Sequence, residues 1–138
     1  MNITKIKYNM TQEDKQLLFK DLCARLPYKC VYSASRGITH WNKLILNIDT
    51  ITKLINNEYD DIKPYLRPMS SMTEEEKEEF NHLYYDVPVV RDSGNAFRDI
   101  KVLEWMHIDW YNIHHFDYRG LIPKGLAIAI TEENNPYK

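Results

Sequence analysis

Apolar side chains recur at helical spacing early in the chain, at Leu17, Leu18, Leu22 and Leu26, with Arg25 on the same side. Thr11 precedes them as a cap, with an acid three residues on at Asp14. Pro27 disfavours helical geometry in the residue before it. Together these predict a helix over 12–26. The pattern then changes period. Lys29 to Ala34 reads as a strand, Ser35-Arg36-Gly37 as a turn, and the alternation around Leu44, Leu46 and Ile48 as a second strand over 39–48, the two forming a hairpin. Residues 51–55 fit either a strand, by β-branching, or a helical turn capped by Asp49.

Punctuation governs the next stretch. Pro64 and Pro68 predict a helical turn and an extended link over 59–68, without a long regular element. Thr73 and Glu76 form a capping box ahead of a helix over 74–85, with Phe80, Leu83 and Tyr84 inward. Pro88, Gly94 and polar neighbours mark 86–98 as a mobile loop. Val102, Leu103, Met106, Trp110, Ile113 and then Phe116 follow a last helical stripe, in which Asp109 could instead cap a fresh helix. Gly120 suits a helix C-cap, residues 125–130 read as a strand, and 131–138 as a polar tail. Residues 2–8 alternate weakly, as a short edge strand would. The order of elements predicts a single α+β domain over 1–138. A small antiparallel sheet of three to five strands would be flanked by about three helices.

At 138 residues and 43% hydrophobic, the chain can bury an ordinary core without staples. Cys23 and Cys30 match no common zinc spacing and are expected as free thiols, which fits a reducing, cytoplasmic setting. The first residues lack the apolar centre of a signal peptide, and no run approaches the length of a membrane span. The net charge of −2 excludes a strongly basic nucleic-acid binder, although its distribution is uneven. Residues 1–70 hold 11 basic and 7 acidic side chains, whereas 71–138 hold 7 and 13. Lys63, Tyr65 and Arg67 interleave base and aromatic, which leaves a weak nucleic-acid binder as a third functional reading.

Candidate chemistry concentrates in residues 105–119. His107, His114, His115 and Asp117 are the types that ligate zinc or iron, or act as general acids and bases. Their spacing argues against convergence, since adjacent histidines point about 100° apart on a helix. The competing reading is structural, with one histidine packed, the other solvated, and Asp117 and Arg119 bracing the turn at Gly120. There is no glycine-rich phosphate loop and no Gly-x-Ser-x-Gly elbow. Tyrosine supplies ten of the seventeen aromatics, a composition that suits binding surfaces. Trp105, Trp110, Tyr118 and Arg119 are therefore the expected binding residues. The leading reading is a non-catalytic module that binds another protein or a second copy of itself, with no cofactor. The rival is a metal-dependent or acid–base hydrolase built on His107, His114, His115 and Asp117.

Three blocks carry a resemblance. They are Lys20-Asp21-Leu22-Cys23-Ala24-Arg25-Leu26-Pro27-Tyr28, the stretch from Lys63 to Glu76 (KPYLRPMSSMTEEE), and the stretch from Asp109 to Ala127 (DWYNIHHFDYRGLIPKGLA). In this order they resemble an uncharacterised family of small proteins from gut Bacteroidetes and their phages or prophages. The resemblance implies a phage-linked bacterial cytoplasmic setting. It implies no catalytic residue.

Overall fold

Thr11 opens the first helix as expected: its hydroxyl accepts from the Asp14 amide at 3.0 Å, and α1 runs Gln12–Arg25. This computed structural model describes residues 10–83 and 96–138, with backbone alone for 96–103. The stretches 2–8 and 86–95, expected as an edge strand and a mobile loop, lie outside the described residues; 96–98 begin a helix. The remaining elements are β1 (Val31–Arg36), β2 (Thr39–Ile45), α2 (Ile48–Ile55), β3 (Asp61–Leu66), α3 (Glu74–Asn81), α4 (Ala96–Ile113) and β4 (Ile128–Ala129). The sheet order is β2-β1-β3-β4. β1 pairs antiparallel with β2 and β3, and β4 joins β3 in parallel. The α+β reading holds, with four α-helices among the described residues and one parallel pair in a mostly antiparallel sheet.

Local chemistry explains where elements differ from expectation. Lys29 adopts a left-handed φ of 53° after a short 3-10 turn, so β1 starts at Val31. The hairpin turn lies at Gly37-Ile38, which leaves Ser35 and Arg36 inside β1. Gly37 has a φ of +60°, and its amide donates to Asp60 Oδ2 at 2.6 Å. β2 stops at Ile45 because Asn47 caps α2. Its side chain accepts from the Thr50 amide at 3.0 Å, and Thr50 Oγ1 answers the Asn47 amide. That capping box resolves 51–55 as helix, with Asn47 as the cap in place of Asp49.

The largest correction is 59–68, where β3 occupies the centre of the sheet with Pro64 in it. Proline in a central strand normally removes a ladder bond. Here the Ile130 amide donates to the Leu66 carbonyl, so Leu66 and, by alternation, Pro64 turn their in-plane groups toward β4. The β4 ladder begins only at Tyr65, and the missing N–H interrupts nothing on the β1 side.

One hydrophobic core lies between the sheet and the two N-terminal helices. Leu18 and Leu22 from α1 and Ile51 and Leu54 from α2 meet Tyr32, Ala34, Ile62 and Leu66 from the sheet. Cys30, Leu46, Leu121, Leu126 and Ala127 complete it. At fully buried positions such as Leu22, truncation to Ala costs about 2–5 kcal/mol. α4 is continuous through Asp109, with no second start there. Its inward residues near the end are Trp110 and Asn112, whereas Ile113 is 56% exposed. The chain leaves α4 through His115 in a left-handed conformation (φ 62°), so Gly120 belongs to a later turn and is not the helix cap. The strand expected over 125–130 shrinks to Ile128–Ala129. No helix among the described residues is long and apolar enough to cross a membrane.

Candidate functional site

The buried stripe of α1 is Leu18, Asp21, Leu22 and Arg25, so its helical period carries an ion pair into the interior. Arg25 Nε donates to Asp21 Oδ2 at 2.7 Å and Nη2 to Oδ1 at 3.2 Å. The same Nη2 donates to the Phe116 carbonyl at 2.7 Å. Arg119 reaches the cluster from the far loop, donating through Nη1 to Asp21 Oδ1 at 3.3 Å and to Tyr118 Oη at 3.0 Å. Tyr118 donates onward to Asn112 Oδ1, also at 3.0 Å. Both guanidinium carbons lie within about 5 Å of the Tyr118 ring centroid, at 5.0 Å for Arg25 and 4.8 Å for Arg119. Burial lowers the Arg25 pKa, and the adjacent Asp21 carboxylate more than reverses that, so the guanidinium stays charged. This network fastens α1 to the end of α4 and the loop after it.

Asp117 takes up the structural task expected of it, but without the partner expected beside it. Its two carboxylate oxygens accept from the Leu121 amide at 2.8 Å and the Ile122 amide at 2.9 Å. It braces the turn containing Gly120 (φ +74°) without Arg119, which is engaged by Asp21. The Arg67 amide donates to the His115 carbonyl, and the Asp117 amide donates to the Arg67 carbonyl. The loop is thereby anchored to the end of β3.

The three histidines of the cluster part company. His107 stacks on Phe80 of α3 at 4.1 Å, and burial lowers its pKa. His114 packs on Trp110 at 4.2 Å, with Nδ1 3.7 Å from Glu76 Oε2 and Nε2 3.9 Å from Glu79 Oε1. His115 stacks almost flat on Tyr137, centroids 3.6 Å apart and planes 8° from parallel. Burial, then the nearby Arg25 charge, pushes its pKa down to about 4. Glu76 is the second residue of a tight pair, accepting two bonds of 2.7 Å from Arg67, which hold its carboxyl down at about 2. No three metal-ligating side chains converge among the described residues. His107, His114, His115 and Asp117, the candidates for a hydrolase, thus turn to separate sets of partners.

Of the expected binding residues, only Trp105 stands in solvent, 65% exposed. Trp110 is buried, and its indole N–H donates to Glu79 Oε1 at 3.0 Å. Tyr118 and Arg119 belong to the ion network. The Lys63-Tyr65-Arg67 trio separates too, since Tyr65 is buried and Arg67 holds Glu76 while lying 4.1 Å over the Phe116 ring. Exposed apolar groups that sequence reasoning missed include Ile38 in the hairpin turn, Ile45 at the end of β2 and two residues of α2. Ile48 and Ile55, seven residues apart and so on one face, are 74% and 55% exposed, and Ile45 precedes them at 61%. Beside Ile55 runs a groove of about 260 Å³, lined also by Leu54, Phe19, Gln12, Lys15 and Gln16. The signal was present as an isoleucine on both sides of one short helix, which a single buried face does not require. Comparison with protein-family models, with curated proteins and with solved structures finds no match.

Proposed function

We propose that the chain is a non-catalytic binding module whose partner is another protein, docking apolar side chains against the outer face of α2. The observation that carries this reading is a contrast. The candidate histidines and Asp117 are each taken up by structural contacts, while Ile45, Ile48 and Ile55 stand in solvent and Ile55 lines an apolar groove. Trp105 and Ile108, three residues apart on α4, form a smaller second surface. In the phage-linked setting that the resemblance implies, the module is an accessory protein acting on a host or phage protein.

The test is the pair Ile48→Glu, Ile55→Glu in a protein purified without a His tag. Sedimentation velocity across a concentration series comes first. A dimer lost in the double variant identifies a second copy as the partner. If both proteins are monomeric, a purified candidate from infected cells must bind the wild type and fail on the double variant. Equal binding by wild type and double variant overturns the reading. Stoichiometric zinc, iron or manganese in the purified wild type would instead favour the hydrolase.

A further inference from the structure

The polar tail does not trail away from the fold. Tyr137 brings its hydroxyl between two strands, accepting from the Val31 amide at 2.9 Å and donating to the Tyr65 carbonyl at 2.9 Å. Tyr32 is paired with Pro64, so Val31 and Tyr65 are the next opposed residues of the β1–β3 ladder. Their N–H and C=O are the groups an uninterrupted antiparallel ladder would join directly. The hydroxyl stands in that bond. Below it, Cys30 is fully buried, its Sγ 3.6 Å from the same oxygen. Beside it is the His115 ring, stacked on Tyr137. Residues 131–134 are exposed and bound locally, by the Thr131–Asn134 turn and by Asn134 Nδ2 donating to the Ala129 carbonyl at 3.1 Å, and Asn135 and Pro136 are half-buried.

We propose that residues 131–138 form a latch, with Tyr137 as its bolt, that opens while the sheet and helices stay folded and so uncovers Cys30 and the His115 face. Two features favour local opening. The tail is hydrogen-bonded to β1 and β3 through one side chain, Tyr137, so few contacts need to break for it to leave. And the backbone groups it releases have each other as partners, so opening leaves no orphaned amide in the sheet. A tail packed as part of the core would have neither property.

Native-state thiol labelling reads the opening directly in the full chain. Cys30 is followed by mass spectrometry against Cys23, which is already partly accessible. The latch predicts that wild-type Cys30 labels through an opening with a shallow urea dependence, well below that of global unfolding. Tyr137→Ala should speed Cys30 labelling about tenfold or more, through loss of one ring stack and of two hydrogen bonds that a direct Val31–Tyr65 bond only partly replaces, with Cys23 labelling and far-ultraviolet circular dichroism unchanged. Tyr137→Phe keeps the stack and should fall between the two. The proposal is overturned if wild-type Cys30 labels only with the full urea dependence of global unfolding. It is equally overturned if Tyr137→Ala leaves the Cys30 rate where it was. Should Tyr137→Ala fail to fold, the wild-type urea dependence decides alone.

Discussion

Replacing Arg25 by Met tests whether the buried ion network is a working part of the fold. The side chain is fully buried and makes three hydrogen bonds, two to Asp21 and one to the Phe116 carbonyl. Methionine fills much of the volume and satisfies none of them. Asp21, itself fully buried, would keep only Arg119 at 3.3 Å. Removing one partner of a buried pair typically costs about 3–5 kcal/mol, because the other charge stays in place without compensation. The surviving Arg119 contact places the carboxylate near the lower end, and the unpartnered Phe116 carbonyl adds about 1 kcal/mol. A loss of about 3–4 kcal/mol is expected. With an m-value of about 2 kcal/mol/M, that lowers the urea midpoint by about 1.5–2 M. Equilibrium urea denaturation at neutral pH, with m fitted independently, measures it. The companion Asp21→Leu, Arg25→Met removes both charges and should be less damaged than Arg25→Met alone, since no buried charge is left unpaired and Arg119 is near enough to solvent to be hydrated. A midpoint shift below about 0.5 M for Arg25→Met, or a double variant worse than the single, would refute the reasoning.

Asp117→Asn should destabilise the chain by about 1–3 kcal/mol in the same assay, because one of the two amides at Leu121 and Ile122 then faces an NH₂ group. Thr73→Ala should cost about 1 kcal/mol, since the Glu76 amide loses its 3.1 Å acceptor; an unmoved midpoint would show that the cap contributes nothing. Acid should weaken the fold in two separable windows, read by denaturation as a function of pH. The first belongs chiefly to His115, neutral in the folded state with its pKa near 4 and ordinary at about 6.5 when unfolded, with a contribution of the same sign from His107, whose pKa burial also lowers. As pH falls from 6.5 to 4 the unfolded chain binds the extra proton, and stability drops by about 2 kcal/mol after allowance for partial solvent access. His115→Gln should shrink that window and leave the Glu76 window unchanged. The second window belongs to Glu76, whose folded pKa near 2 makes its pairing with Arg67 disappear as pH falls from 4.5 to 2.

What the sequence determined by itself is local. Thr11 and the Thr73–Glu76 box started their helices where spacing put them, because a cap needs only a side-chain acceptor within three residues. The 3.6-residue period of α1 and the hairpin around Gly37 were legible for the same reason. Even the buried ion pair left a trace, since Asp21 and Arg25 fall on the apolar stripe beginning at Leu18. Tertiary structure decided the rest. Pro64 enters a central strand because β4 begins its ladder one residue later, a fact of strand order that no local rule contains. Whether Ile113 or Asn112 faces inward depended on Tyr118 arriving from beyond the helix. Four candidate ligands, within eleven residues of chain, dispersed because Phe80, Glu76, Tyr137 and two loop amides stand in different directions around one helix end. Proximity in sequence sets which residues can meet, but the long-range partners, held by burial and hydrogen bonding, set which ones do.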